Sequence, residues 1–352
     1  MGTLLRNPTL VARYLPGGRL DPSFGRDGRV SLDMLPRRED CCPPLSIAVE
    51  PDGKMVIAFA DMVARLDADG SLDPTFGHGG EVQIEQADGF TEELEGVTVT
   101  PRGKTVVAGE DSSDFGLFRL LQHGQPDPTF GHDGRVRTDF FGGCDRPTAM
   151  AVDRRGFIVL AGVGDAQPCD SLGRATFEMA RYRPDGHLDV RFGRGGRLIE
   201  HRGNMYGGGG LMDVAFGPPG ETVVLRGVRV LRFHADGGRD VAFGRRGSVK
   251  LPVPTIKKPQ VFDALAVDGE GRTVVAGATC FCGAGNPSSF EVFRFLPSGL
   301  VDPTFGVGGR ARTSFGGTAV PWDVAVDPEG RAVVVGGTNW TLGAFAVARY
   351  RG

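Results

Sequence analysis

The residues best suited to chemistry are three aspartates that interrupt an otherwise small-residue pattern. Asp213 and Asp323 occupy a position that is Ser46, Gly96, Ala149 or Ala264 in equivalent segments, and Asp263 and Trp322 stand beside that position. Carboxylates gathered at one point can hold a hard cation or accept hydrogen bonds from sugar hydroxyls, and an indole can stack on a sugar face. The plainer reading is that these acids hydrogen-bond loop backbone.

The six cysteines, Cys41, Cys42, Cys144, Cys169, Cys280 and Cys282, all fall between predicted strands. An even count confined to loops suits disulfides in a secreted protein, and Cys144 with Cys169 is the expected pair because both serve one repeat. Free thiols are one alternative. A zinc site using Cys280-x-Cys282 is another, although it lacks the usual two-residue spacing. The six histidines are scattered, and His78 and His132 share a slot that is Arg or Val in other copies. No His-x-x-x-His pair, Gly-x-Ser-x-Gly elbow or phosphate loop occurs, and Gly207–Gly210 lacks the Lys-Ser/Thr such a loop needs. Asp67–Asp73 has acids at calcium-loop spacing but no sixth-position Gly or closing Glu, so a hairpin turn is expected. No residue is assigned as catalytic.

The elements that must position these residues are repeats. ARYLPGGRLDPSFGRDGRV from Ala12 returns as ARLDADGSLDPTFGHGGEV from Ala64 and FRLLQHGQPDPTFGHDGRV from Phe118. It returns again from Ala180, Leu231 and Phe293, always with eleven residues from the Arg to the Phe of the FG pair, and Ala348-Arg349-Tyr350 begins a further copy. Between these lie segments such as LSIAVEPDGKMVIAF from Leu45 and ALAVDGEGRTVVAGA from Ala264. Each is a β-branched run, a Gly-bearing turn and another such run, which reads as a hairpin. A hairpin plus one strand on either side of the LDxxFG turn makes four strands, a propeller blade. On the hairpin's first strand one parity is bulky and the other small, as stacked sheets require.

The expected fold is therefore an all-β β-propeller of six four-stranded blades, with seven blades as the alternative. In this reading Trp322–Tyr350 supplies three strands of the last blade, the Gly28–Asp33 strand fastens it, and Thr9–Tyr14 is displaced. Residues 1–18 form an extension and 19–352 one propeller. The Asp of each LDxxFG and the Arg of the preceding strand recur in every copy. A catalytic group is needed once and a structural one per blade, so these read as turn caps and interstrand ion pairs. The Phe of each FG is expected in the core, and the Gly four residues later at positive φ. The loops after the second and fourth strands vary in length, and any working face should carry them.

These residues resemble the bacterial delta-60 repeat family, whose units look like LDPSFG-x-x-G-x-V followed by AVxPDGKxVVAG and ARY. The resemblance runs over nearly the whole chain from Leu20. It implies a propeller-like array in bacterial proteins, often secreted or on the surface, mostly without assigned function.

Composition limits the rest. A formal net charge of −3 leaves no basic stripe for nucleic acid. No apolar run reaches the ~18 residues of a membrane span, and no apolar segment of signal-peptide length precedes Pro16. Either a secreted protein without its leader or a cytoplasmic one fits. The expected function is a monomeric, non-enzymatic binding scaffold for a protein or carbohydrate partner, with no cofactor. The alternative is a metal-dependent propeller hydrolase or lyase using Asp213, Asp263 and Asp323 around a divalent cation such as calcium.

Overall fold

Valine, isoleucine and aromatic side chains fill the predicted strand positions because branched and planar groups suit a pleated surface, and the intervening Gly-rich runs stop each strand short. In a computed structural model the described residues are 9–32, 46–59, 61–84, 90–140, 142–165, 176–200, 212–253, 261–278, 288–338 and 344–351. Every regular element among them is a strand.

The chain divides into two compact units, Met1–Ser112 with Gly116–Val136, and Ser113–Phe115 with Arg137–Gly352. A two-stranded ribbon comes first: β1 (Thr9–Ala12) and β2 (Arg29–Leu32). The first blade is β3 (Ser46–Val49), β4 (Met55–Phe59), β5 (Met62–Leu66) and β6 (Glu81–Gln83). The second is β7 (Phe90–Val99), β8 (Thr105–Asp111), β9 (Asp114–Leu120) and β10 (Arg135–Thr138). The third is β11 (Cys144–Val152), β12 (Ile158–Asp165), β13 (Thr176–Tyr182) and β14 (Arg197–Glu200). The fourth is β15 (Met212–Gly217), β16 (Glu221–Arg226), β17 (Arg229–Phe233) and β18 (Ser248–Lys250). The fifth is β19 (Val261–Val267), β20 (Thr273–Ala278), β21 (Phe290–Phe295) and β22 (Arg310–Thr313), and the sixth is β23 (Ala319–Val326), β24 (Ala332–Thr338) and β25 (Ala344–Tyr350). Within each blade the strands pair in chain order, an antiparallel meander. The fold is all-β, a β-propeller of six blades.

One detail of the sequence reading is corrected. Gly28–Asp33 was expected to fasten the last blade, with Thr9–Tyr14 displaced. Instead β2 pairs with β1, from Thr9↔Leu32 to Ala12↔Arg29, and the sixth sheet holds three strands among the described residues. The physical reason is local. Arg13 reaches Asp21 at 2.8 Å and covers the Phe24 ring at 4.8 Å, the same contacts made in later copies. Pairing across this short loop costs less chain entropy than joining distant segments.

The core consists of layers between neighbouring sheets. In the first unit Val56, Ala58 and Val63 of one blade meet Val97, Val107 and Phe118 of the next, with Phe76 among them. In the second unit Val159, Ala161 and Phe177 meet Val214, Val224 and Phe233. The FG phenylalanines Phe24, Phe76, Phe130, Phe192, Phe243 and Phe305 are all fully buried, as expected. The glycine four residues later takes positive φ in each copy; at Gly80 it is 103°, and a Cβ there would crowd Leu72.

Consecutive copies are joined by backbone. Gly77 N donates to His123 O at 3.0 Å, Gly193 N to Asp236 O at 2.7 Å and Gly244 N to Ser298 O at 2.8 Å. Gly25 N donates to Asp69 O in the same way at 2.6 Å.

Candidate functional site

The recurring Arg–Asp pairs lie at the LDxxFG turns. Asp73 Oδ2 accepts from Arg65 Nε at 2.8 Å and from Lys54 Nζ at 2.7 Å, while its Oδ1 accepts from the Thr75 amide and hydroxyl. Arg65 Nη1 donates to Gln122 O of the next copy at 2.6 Å, and the guanidinium lies over Phe76. The same arrangement recurs at Arg119–Asp127, Arg232–Asp240 and Arg294–Asp302. Burial pushes the Asp73 carboxyl up, but Lys54, Thr75 and Arg65 outweigh it and hold the group well below the usual carboxylate range. Asp127 is held down in the same way by Lys104, Thr129 and Arg119. These are the structural ion pairs that the repetition implies. The supposed calcium loop belongs here too: Asp69 caps Ser71, and Asp67 meets Lys54 at 2.6 Å.

Sequence reading missed a variable partner in this cluster. The residue after the hairpin-turn glycine is Lys54, Lys104, Phe157, Glu221, Arg272 and Arg331 in successive blades. Where it is Phe157, Arg181 lies over that ring at 4.8 Å and its pair with Asp189 loosens to 3.4 Å. Where it is Glu221, Arg232 is shared between Glu221 and Asp240. His234 joins these two acids with ligand atoms within 4.8 Å, but the Arg232 guanidinium already supplies positive charge there.

The aspartates singled out by sequence lie elsewhere, on the first strands of the second unit's blades. Asp213 is on β15, Asp263 on β19 and Asp323 on β23, and these strands run side by side in neighbouring blades. Asp263 and Trp322 fall where the ladder slips, between Phe262 and Ala264 and between Pro321 and Asp323. A residue inserted in this way is turned out of the regular alternation. Asp213 Oδ2 accepts from Leu265 N of the next blade at 2.6 Å and its Oδ1 from Val214 N at 2.7 Å. Ser46 in the equivalent slot of the first blade accepts from Val97 N at 3.0 Å. One function of the slot is thus to tie adjacent first strands together, through strand amides and not the loop backbone that the plainer reading named.

Tying strands does not need a full negative charge, and Asp213 bears one at a cost. Burial raises its carboxyl to about 7; the Leu265 and Val214 amides pull it down, and the charges of Asp323 and Asp263 push it further up. Asp263 is raised to about 6 by burial, and Asp323 is raised by burial against the Val324 amide at 2.7 Å. Next to Asp323, Trp322 is 58% exposed, and a Cβ at Gly337 would run into its indole. The glycine leaves room for the ring to lie along β24 with its remaining surface open. These first strands therefore offer acceptors and negative charge, and an exposed indole at the residue beside Asp323.

Among the described residues a second acidic group stands apart from these. Asp114, Asp139 and Asp145 place carboxylate oxygens within 4.8 Å of one another. Sequence reading missed it; the available signal was Glu178, an acid between Phe177 and Met179 in a buried strand. Cys144 is disulfide-bonded. Its expected partner Cys169 lies outside the described residues, as do Cys41, Cys42, Cys280 and Cys282. No helix among the described residues is long and apolar enough to cross a membrane.

The family comparison agrees with the architecture. A family described as a domain of unknown function (DUF5122) beta-propeller matches residues 50–76 and 101–130, which supports a propeller repeat family. No curated protein matches. Among solved structures, the chain is similar to a protein of unknown function from Bacteroides caccae, at 12% identity and TM-score 0.45, over 84% of this chain and 91% of that one. A gluconolactonase from Xanthomonas campestris is similar at 14% identity and TM-score 0.46, over 87% of each chain. Regucalcin, a calcium-binding protein from Agrobacterium tumefaciens, is similar at 14% identity and TM-score 0.46, over 88% of this chain and 92% of that one.

Proposed function

We propose that this chain is a ligand-binding propeller of the delta-60 repeat type that takes a carbohydrate at Asp213, Asp263, Asp323 and Trp322. The observation that carries the reading is the exposed Trp322 indole, backed by Gly337, next in sequence to Asp323, one of three carboxylates that no cation among the described residues pairs with. Sugar hydroxyls satisfy carboxylate lone pairs without bringing a second charge, and a pyranose face covers an indole. The site sits on strands, so its geometry is set by the sheets and not by loops. A secreted location accords with a saccharide ligand.

The test is a thermal-shift and calorimetric screen of the whole chain against neutral and acidic oligosaccharides. A binding saccharide raises the melting temperature by mass action. Trp322→Ala should then weaken binding roughly three- to tenfold, since an aromatic contact contributes ~0.5–1.5 kcal/mol beyond its area. Its fold should be unchanged, because the ring is largely exposed. Saccharide binding that survives both Trp322→Ala and Asp323→Asn would remove the site from consideration.

A second reading is favoured by one observation, the lifting of Asp213 to about 7 with Asp323 and Asp263 contributing. Carboxylates that repel one another accommodate a divalent cation, the starting point of a metal-dependent hydrolase or lyase. Flat responses to every saccharide, with a metal response abolished in Asp213→Asn, would put that reading first.

A further inference from the structure

Glu178 and Glu291 occupy the same position, three residues before the Arg of the third strand, and both are completely buried. In the fifth blade the charge is matched from the fourth strand. Arg310 Nε donates to Glu291 Oε2 at 2.6 Å, and Arg312, directly opposite Glu291 in the ladder, approaches Oε1 at 3.4 Å. Among the described residues of the third blade's fourth strand, no guanidinium meets Glu178 in this way. Ile199 stands opposite Glu178 where Arg312 stands opposite Glu291. Arg197, in the slot of Arg310, has a buried Nε with no acceptor. The repeat therefore places a buried carboxylate here without the guanidinium that balances its counterpart.

More negative charge converges on the same point. Asp145, also completely buried, faces Glu178 within hydrogen-bond reach of its carboxyl, and no donor reaches the buried Asp145 Oδ1 or Glu178 Oε2. Asp145 Oδ2 accepts from Phe140 N at 2.7 Å, and Glu178 Oε1 from Thr176 Oγ1 at 2.9 Å. A Cβ at Gly164 would run into both oxygens of Glu178, so the glycine leaves the space that the carboxylate fills. Asp139 and the buried Asp114 bring their carboxylates beside Asp145, and Arg137 binds Asp114 from the outer side. Burial raises Glu178 to about 9, with Asp145 adding to it.

We propose that Asp114, Asp139, Asp145 and Glu178 bind a divalent cation, calcium by the chemistry of the set. All four offer only carboxylate oxygen, the donor of hard cations. Carboxylates arriving from four separate strand ends suit the irregular six- to eight-fold shell of calcium better than the strict octahedron of magnesium. The ion supplies the positive charge that Arg310 and Arg312 supply in the fifth blade. It bridges β9 and the segment after β10 to β11 and β13, fixing the end of the sheet that begins with the disulfide-bonded Cys144. The site is separate from the one proposed for carbohydrate and does not rest on it.

The experiment is calorimetric titration of calcium into the whole EDTA-treated chain, with melting temperatures in EDTA and in calcium. Wild type should bind calcium and melt at higher temperature in its presence. Glu178→Gln and Asp145→Asn should each lose at least tenfold in affinity, while Asp213→Asn keeps wild-type affinity. Glu178→Gln should melt in EDTA no lower than wild type, because a neutral amide can donate to Asp145, and this shows that lost binding is not lost folding. No calcium binding, or binding unchanged in both Glu178→Gln and Asp145→Asn, would overturn the site and leave a carboxyl pair sharing a proton. Calcium binding abolished only by Asp213→Asn would overturn it equally and move the ion to the other acids.

Discussion

The LDxxFG turns and the first strands of the second unit are both rich in aspartate, and they treat it in opposite ways. At the turns each carboxylate meets a guanidinium and a backbone amide, and Asp73 and Asp127, which also meet a lysine, are held ionised well below the usual range. On the first strands Asp213 meets two amides but also two like charges, and it is raised to about 7. The same side chain is an ion-pair tie where its charge is matched and, in our proposal, a recognition element where it is not. Repetition separates the two cases: the matched acids occur in every copy, the unmatched ones in a few.

The largest effect expected from breaking this contrast is at a matched acid. Asp73→Ala leaves Arg65 and part of Lys54 facing an empty acceptor in a buried cluster, and removing one partner of a buried pair costs about 3–5 kcal/mol. Denaturant unfolding of the variant should show that loss as a lower midpoint, and a change under 1 kcal/mol would make the turn pairs ornamental.

An intermediate effect sharpens the comparison by its sign. Asp213 has a folded-state pKa above its unfolded value, so between about pH 4 and 7 the native chain holds more protons than the unfolded chain. Its contribution is therefore fully present at low pH and is lost as pH rises through about 7. Matched Asp73 behaves oppositely, contributing above the unfolded value and losing its contribution as pH falls toward its depressed one. Asp213→Asn removes the charge but keeps an acceptor for only one of the two amides, so its melting temperature relative to wild type should be lower at pH 4 than at pH 8, the two differing by a few degrees for a change of ~2 kcal/mol in a chain of this size. Equal shifts at both pH values would mean that the charge of Asp213 is not the source of the cost.

The smallest effect concerns one bond within a matched site. Thr75→Val keeps shape but deletes the hydroxyl that donates to Asp73 Oδ1 at 2.6 Å. A hydrogen bond to a charged group contributes about 1.5–3 kcal/mol. The Thr75 amide still serves the same oxygen, so a loss near the lower end is expected in denaturant unfolding.

The blades, the buried phenylalanines and the Arg–Asp pairs were legible in the sequence because each is specified by local spacing and repeated. The partner of β2 was not, because Arg13 and Arg349 carry the same local signal and loop closure decided between them. Asp213 and Asp323 could be singled out as departures within a known slot, whereas the bond from Leu265 N to Asp213 joins residues of different blades. The Asp145–Glu178 contact was still less accessible. It requires knowing that Ile199 replaces an arginine across the ladder, and register is a property of the folded sheet.

The amide bonds from Gly25, Gly77, Gly193 and Gly244 to the following copy have a consequence for how the molecule opens. Each of these protons is protected by a neighbour's carbonyl and not by a strand within its own sheet. Deuterium will therefore enter them when two blades part, even if both sheets stay intact. Strand amides such as that of Leu160, paired inside its blade, wait for the sheet itself to melt. The four glycines are thus built-in reporters that distinguish separation of blades from unfolding of a blade.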